Sequence, residues 1–559
     1  MPITSAHDLI DGIATRAVPL ARSRYCYLFP HLAEDPLAGC VTGTTPRQTC
    51  DRLRAFELAS RVPLSGMPVL QMRLPAAYTY FGQFMNHDIS APTGDVVTQA
   101  GWTPVAGVIG TADPPGLDRN RRAAPAIILE NLANEHEAPL TLSSLYGEGP
   151  DSADPEVRAL YEPDGKRFRL GQTRREAERV FTDLLIDPGR VVHATGAPDL
   201  PREGRKALIA DRRNDENLIL SQLHLALMLL HNKAVAALEP QVPDPARCFA
   251  EARGLVTRHY HWLILHDYLP RLLSPSALSG PLARRSVRLT EANRVPLEFT
   301  TAAFRFGHSM VGSAYDFNAN FGLNGRISDE GATLEDLFAF TSRNNMQSDA
   351  AATLALPDHW VIDWARMTRL LPPRPSGTPR PFGSAERIDL TFARDMLNLV
   401  GSSDVAVHGS ILFRNLMRGF HRRIPLGQRL AVECGVAPLD EDEMRAALPE
   451  DGPPGAGEPG LRETAAALGF LRETPAWLYF LCESRLRENG ERVGATASHI
   501  IADTITGLIR LNPDSLLNRD GRRWHPRDSM LGGSEGAGLT TLRKLLLFAV
   551  RGTAGAGPG

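Results

Sequence analysis

The sequence predicts a mainly α fold. Apolar residues recur at helical spacing in most of its strongly patterned stretches. Alternating strand patterns are almost absent, and no segment repeats. Residues 1–70 mix turns with short helical pieces, including one helix over 51–60, and are expected to form an N-terminal extension packed on a core. Residues 74–89 read as helix, because Leu74, Tyr78, Phe81 and Met85 recur at steps of four, three and four. Residues 90–205 are rich in Pro, Gly, Asp and Arg without sustained periodicity, which predicts long loops carrying short helices. A long helix then runs through Leu218, Leu223, Leu229 and Val235. A second is expected over 249–268 and a third over 297–315. Further helices are expected at 333–341, 388–399, 405–418, 464–471, 476–488 and 497–511. Residues 449–460 read as an exposed Pro/Gly loop and 551–559 as a disordered tail.

Composition narrows the function classes. With 559 residues, 43% of them hydrophobic, the chain is long enough for a sizeable core. A net charge of −3, from 61 basic and 64 acidic residues, argues against a dedicated nucleic-acid surface. The six cysteines form no C-x-x-C pair, so thiolate zinc or redox motifs are not indicated; one local disulfide among Cys26, Cys40 and Cys50 is weighed against unpaired buried thiols. The N-terminus shows no Sec-type signal, and the apolar runs are shorter than a membrane span. A cytoplasmic protein without a membrane span is the default expectation.

Three constellations carry candidate chemistry. The first is Gly82-Gln83-Phe84-Met85-Asn86-His87-Asp88. Gln83 and His87 are four apart, so they share a helix face, and burial would require partners for both. A core histidine satisfied by hydrogen bonds explains this stretch as well as a reactive one does. The second is Ala303-Phe304-Arg305-Phe306-Gly307-His308-Ser309-Met310. Gly307 lets something flat and bulky approach the backbone beside a histidine and an arginine. Such a segment suits a haem, with the imidazole as axial ligand and the guanidinium on a propionate. A buried histidine paired with a local carboxylate is the alternative. A proximal histidine needs its other ring nitrogen held. Asn415 could accept the imidazole N–H through its amide oxygen, and Arg418, three residues on, could meet a propionate; the same pair also suits a solvated helix face. The third is Arg213 and Glu216 at the start of the long helix, a cluster that capping and dipole compensation also explain.

In this order, the segments resemble the animal-type haem peroxidase superfamily (peroxidase–cyclooxygenase superfamily), its bacterial members in particular. The resemblance rests on residues 82–88, on 213–218 with Gln222-Leu223-His224, on 303–310, and on 414–419 with Pro425. Tyr146-Gly147 and the stretch from Thr474-Pro475-Ala476-Trp477 to Gly490-Glu491-Arg492 also fit. It runs from about residue 23 to about residue 550. It implies a mostly helical fold around one haem b, within a catalytic domain of residues 71–550. It implies that His308 is the proximal iron ligand, His87 the distal catalytic base, Arg213 the distal arginine and Gln83 a distal-pocket residue. Asn415 would hold the proximal imidazole, and Arg305 and Arg418 would meet the propionates. The implied activity is reduction of hydrogen peroxide with oxidation of a halide, thiocyanate or phenolic donor. A neutral imidazole, with a reference pKa of about 6.5, can take a proton from one peroxide oxygen and return it to the other. A guanidinium can donate to the developing negative charge.

Two other readings stay open: a fatty-acid dioxygenase of the same superfamily, and a haem-binding protein without turnover. Arg305 stands where the dioxygenases carry a tyrosine, and a mere binder has no need of His87, Arg213 and Gln83. The chain also departs from the family. Asn86 replaces an aspartate that esterifies haem in some members, while Glu216 matches the second linking carboxylate. At most one ester can form, so the haem is expected to be partly or wholly non-covalent. Asn217, in place of methionine, excludes a sulfonium link. A calcium ion is implied by Asp88 and Ser143, but Thr141 and Glu137 stand where an aspartate and a threonine are expected.

Overall fold

The computed structural model describes residues 23–65, 70–93, 96–98, 101–103, 122–204, 206–278, 294–341, 355–370, 383–397, 410–449, 460–517, 524–532 and 538–553. Helices dominate them, as the periodicity predicts. At the centre runs Leu218–Leu238, capped by Asn217, whose side-chain oxygen accepts the Leu220 N–H at 2.9 Å. Its length and composition would let it cross a membrane, but 89% of its most apolar window is buried inside the fold. It packs against Ala77–Ile89, Pro245–Leu263 and Leu542–Val550.

Ala77–Ile89 is buried at every residue except Gln83. A helix apolar on most sides belongs in a core. The helix begins later than residue 74, because Gln71–Pro75 is a strand paired antiparallel with Ser384–Glu386, and Pro75 cannot sit in a helix interior. A Cβ on Gly82 would lie 2.2 Å from the Tyr268 hydroxyl, so glycine is required for that ring to pack against the helix. Tyr268 ends a π turn, Ile264–Tyr268, which interrupts the predicted 249–268 helix after Leu263.

The predicted 297–315 helix is not continuous. It resolves into Leu297–Thr301 and a 3-10 turn, Ala303–His308, with Ala302 between them at φ −130°. Tertiary bonds outweigh the helical pattern here. Arg305 Nε donates at 2.8 Å to the Thr300 carbonyl, which a continuous α-helix would spend on residue 304. Trp477 Nε1 donates to the Arg305 carbonyl at 3.1 Å. The buried Glu298 carboxylate accepts the Leu28 and Phe29 N–H groups at 2.9 and 3.0 Å. A small sheet reinforces that link: Ser23–Cys26 pairs in parallel with Arg294–Pro296 and antiparallel with Ala133–Asn134.

Of the remaining helices, Ala476–Glu488 has the predicted bounds, and Leu334–Phe338, Ile411–His421, Leu461–Ala467 and Ala495–Leu511 differ by a few residues. In the predicted 388–399 segment, the described residues hold only a short helix, Arg394–Leu397. The readings of residues 1–22, 398–399, 405–409, 450–459 and 554–559 lie outside the described residues. None of the six cysteines, all in described segments, forms a disulfide.

One buried carboxyl makes the fold pH-sensitive. Glu483 accepts both the N–H and the hydroxyl of Thr496, at 2.9 and 2.8 Å, and so caps Ala495–Leu511 from a neighbouring helix. Burial pushes its pKa up to about 7 against the opposing Thr496 hydrogen bonds. A folded pKa above the unfolded one contributes stability at low pH that is lost as pH rises through about 7. Relative to wild type, the melting temperature of Glu483→Gln is therefore expected to rise between pH 5 and pH 8. A variant with the full wild-type slope would show that another group titrates.

Candidate active site

Two of the predicted constellations face one another across a narrow cleft. Thr79, Gly82, Gln83 and Asn86 line it from the Ala77–Ile89 helix; Arg305, Phe306, Gly307 and His308 line it from the 3-10 turn. Gln83 is the helix's one incompletely buried residue because it opens onto this space. Its amide nitrogen donates to Glu216 Oε1, and Asn217 Nδ2 donates to its amide oxygen at 3.4 Å. The third constellation is thereby attached to the first.

His87 lies one helical turn past Gln83, behind the cleft wall and 1% exposed. Its Nδ1 is 2.9 Å from Asn214 Oδ1, and Asn214 Nδ2 is 3.1 Å from His224 Nδ1. Sequence reasoning missed Asn214, although it adjoins Arg213 in the same motif; a polar side chain between two histidines gives no periodic signal.

Arg213 differs from its expected role as a distal-pocket donor. Its Nε and Nη2 donate to the Asp211 carboxylate at 3.0 and 2.7 Å. Its Nη1 and Nη2 also donate to the carbonyls of Ser90 and His87 at 2.8 and 2.9 Å. The guanidinium thus clamps the last turn of the His87 helix, where carbonyls lack helical partners. Burial would raise the pKa of Asp211, but the Arg213 charge and a His136 hydrogen bond outweigh it and hold the carboxyl well below the usual range.

The residues expected to bind calcium are engaged otherwise. Asp88 Oδ1 accepts the N–H and the hydroxyl of Ser144, each at 3.1 Å. Ser143 Oγ is 3.1 Å from His136 Nδ1, and His136 Nε2 is 2.7 Å from Asp211. Thr141 donates to Glu137 at 3.0 Å. Among the described residues, no three His, Cys, Asp or Glu side chains converge on a point that could hold a metal ion. A hard cation needs six to eight oxygens, with carboxylates among them. This donor set, with an imidazole in its midst, does not fit calcium.

On the opposite wall, His308 is 4% exposed, and its Nδ1 is 3.0 Å from Asn415 Nδ2. The sequence predicts the amide oxygen at that place. The nitrogen faces the ring instead because it also donates to the Ile411 carbonyl at 2.9 Å. Asn415 Oδ1 is left buried without a hydrogen bond. Arg418 follows Asn415 on the same helix and is buried with Arg414 and Arg422, a row of guanidiniums at four-residue spacing of which the sequence reading picked out only one. Arg305 is also buried, at the cleft wall.

Residues 134–354 match the model of the animal haem peroxidase family. Thyroid peroxidase of Homo sapiens is 29% identical over 177 residues, covering 31% of this chain and 19% of that protein. Peroxidase mlt-7 of Caenorhabditis elegans is 29% identical over 281 residues, covering 46% and 36% respectively. The chain thus spans well under half the length of these curated relatives. Peroxidase A of Dictyostelium discoideum shares the fold at a TM-score of 0.51 and 15% identity, over 91% of this chain and 92% of that one. A fatty acid alpha-dioxygenase of Oryza sativa, crystallised with palmitic acid, shares it at 0.52 and 13% identity, over 97% and 85%. Residues 134–354 thus match the animal haem peroxidase family, and the chain shares its helical fold with the Dictyostelium peroxidase.

Proposed function

We propose that this chain is a haem b-dependent peroxidase that reduces hydrogen peroxide and oxidises a small donor such as a halide, thiocyanate or a phenol. The observation that carries this reading is the cleft, with His308 in one wall and His87 behind the other. The residues fit the group. His308 would ligate iron through Nε2, and Arg305 and Arg418 would pair with the propionates. Ligation requires the His308 proton on Nδ1. Turning the Asn415 amide would then give its orphaned Oδ1 that N–H to accept, at the loss of the Ile411 bond. Asn86, in place of an aspartate, cannot form an ester, so at most Glu216 links the haem and the attachment is partly or wholly non-covalent. When bound, haem supplies the two-electron redox chemistry.

The chain's own residues move the proton. His87 takes it from one peroxide oxygen and returns it to the other. Arg213 acts through His87 by holding the carbonyl end of its helix. Residues 71–550 form a single catalytic unit in this reading, because the cleft draws on residues from Thr79 to Val311 and its supports extend to Asn415. Arg305 in place of a tyrosine favours peroxidase over dioxygenase chemistry, and calcium has no part in the site.

In the haem-loaded protein, His87→Ala is expected to slow reaction with peroxide by about 10²–10⁴-fold while the Soret band persists; an unchanged rate would remove His87 from the mechanism. Oxygen uptake with palmitic acid should be absent, and sustained uptake would favour a dioxygenase. Excess EGTA should leave the melting temperature of the haem-loaded protein unchanged; a fall restored by calcium would reveal a bound cation.

A further inference from the structure

Asn214 is fully buried between two imidazoles. An amide offers an accepting oxygen and a donating nitrogen, so its orientation decides where each ring carries its proton. His224 is the partner on its nitrogen side. It is 1% exposed and packs edge-on against Phe84, at 6.1 Å between ring centres. Burial pulls its pKa down to about 3, so the ring is neutral at any working pH. A neutral ring facing an amide N–H at Nδ1 must accept there and carry its own proton on Nε2. The structure places the Asn214 nitrogen at His224, which leaves the amide oxygen for His87. An amide oxygen only accepts, so the proton of neutral His87 sits on Nδ1 and its basic lone pair on Nε2.

We propose that Asn214, oriented by His224, is a positioning residue that sets the tautomer of His87 for proton transfer. The proposal deepens the peroxidase reading and rests on it. Nε2 takes the proton and gives it back, while Nδ1–H stays bonded to Asn214 throughout. A neutral amide suits the task better than a carboxylate, which would favour the charged imidazolium and hold the base protonated. Of the neighbouring carboxyls, Asp211 is paired with Arg213 and His136, while Asp88 Oδ1 accepts from Ser144 and burial raises its pKa.

The test uses haem-loaded protein and two readouts across pH: the rate with hydrogen peroxide, and the affinity for cyanide, whose acid form must pass a proton to a base on binding. Asn214→Ala is expected to lower the peroxide rate at least tenfold and to weaken cyanide binding, with haem content and Soret band unchanged. Asn214→Asp is expected to move the acid limb of both profiles up by about a pH unit or more. Profiles that superpose on wild type in either variant would overturn the proposal. If neither variant folds, His224→Phe removes the orienting nitrogen while keeping a ring against Phe84, and wild-type profiles there would also overturn it. Wild-type protein that shows pH-dependent cyanide binding without peroxidase turnover would sink the peroxidase reading, while the cyanide profiles still judge the tautomer.

Discussion

The rest of the site depends on one constraint: a helix buried on nearly every side carries His87 and Asp88 into the protein interior. Each buried polar group there must find a partner or cost about 1–3 kcal/mol. Asn214 meets His87, Ser144 meets Asp88, and Arg213 meets the carbonyls at the helix end. The partners come from segments remote in sequence, so satisfying this helix pulls residues 140–146 and 211–217 into place. The entry to the central helix is fixed by the same contacts, since Asn217 both caps it and reaches Gln83.

The opposite wall obeys a different logic. Its backbone leaves the α-helical path at Ala302 because bonds from Arg305, Trp477 and Glu298 outweigh the local preference of residues 297–315. The tighter turn that results carries Arg305 and His308 to the cleft. Two departures from regular packing shape the cleft walls: a glycine at 82 that admits Tyr268, and a helix broken before His308.

Much of this was legible in the sequence. Periodicity located the Ala77–Ile89 and Ala476–Glu488 helices, and spacing put Gln83 with His87 and Arg305 with His308. What was not legible depends on tertiary bonds. Leu74 fits the helical stripe, yet its backbone is committed to a strand partner more than three hundred residues away. Arg213 reads as a pocket donor until Asp211 and two carbonyls claim its guanidinium. Asp88 and Ser143 read as cation ligands until His136 takes a place beside them. The resemblance to the family supplied the order of the motifs, and packing supplied what each side chain touches.

The central claim is that haem lies between these walls with His308 as its axial ligand. Titration of the purified protein with haemin, followed by absorption and electron paramagnetic resonance spectroscopy, tests it most directly. Saturation at one haem per chain with a histidine-ligated ferric signal, lost in His308→Ala and regained with added imidazole, is the predicted result. A protein that takes up no haem, or one whose His308→Ala variant keeps the wild-type spectrum, would contradict the account.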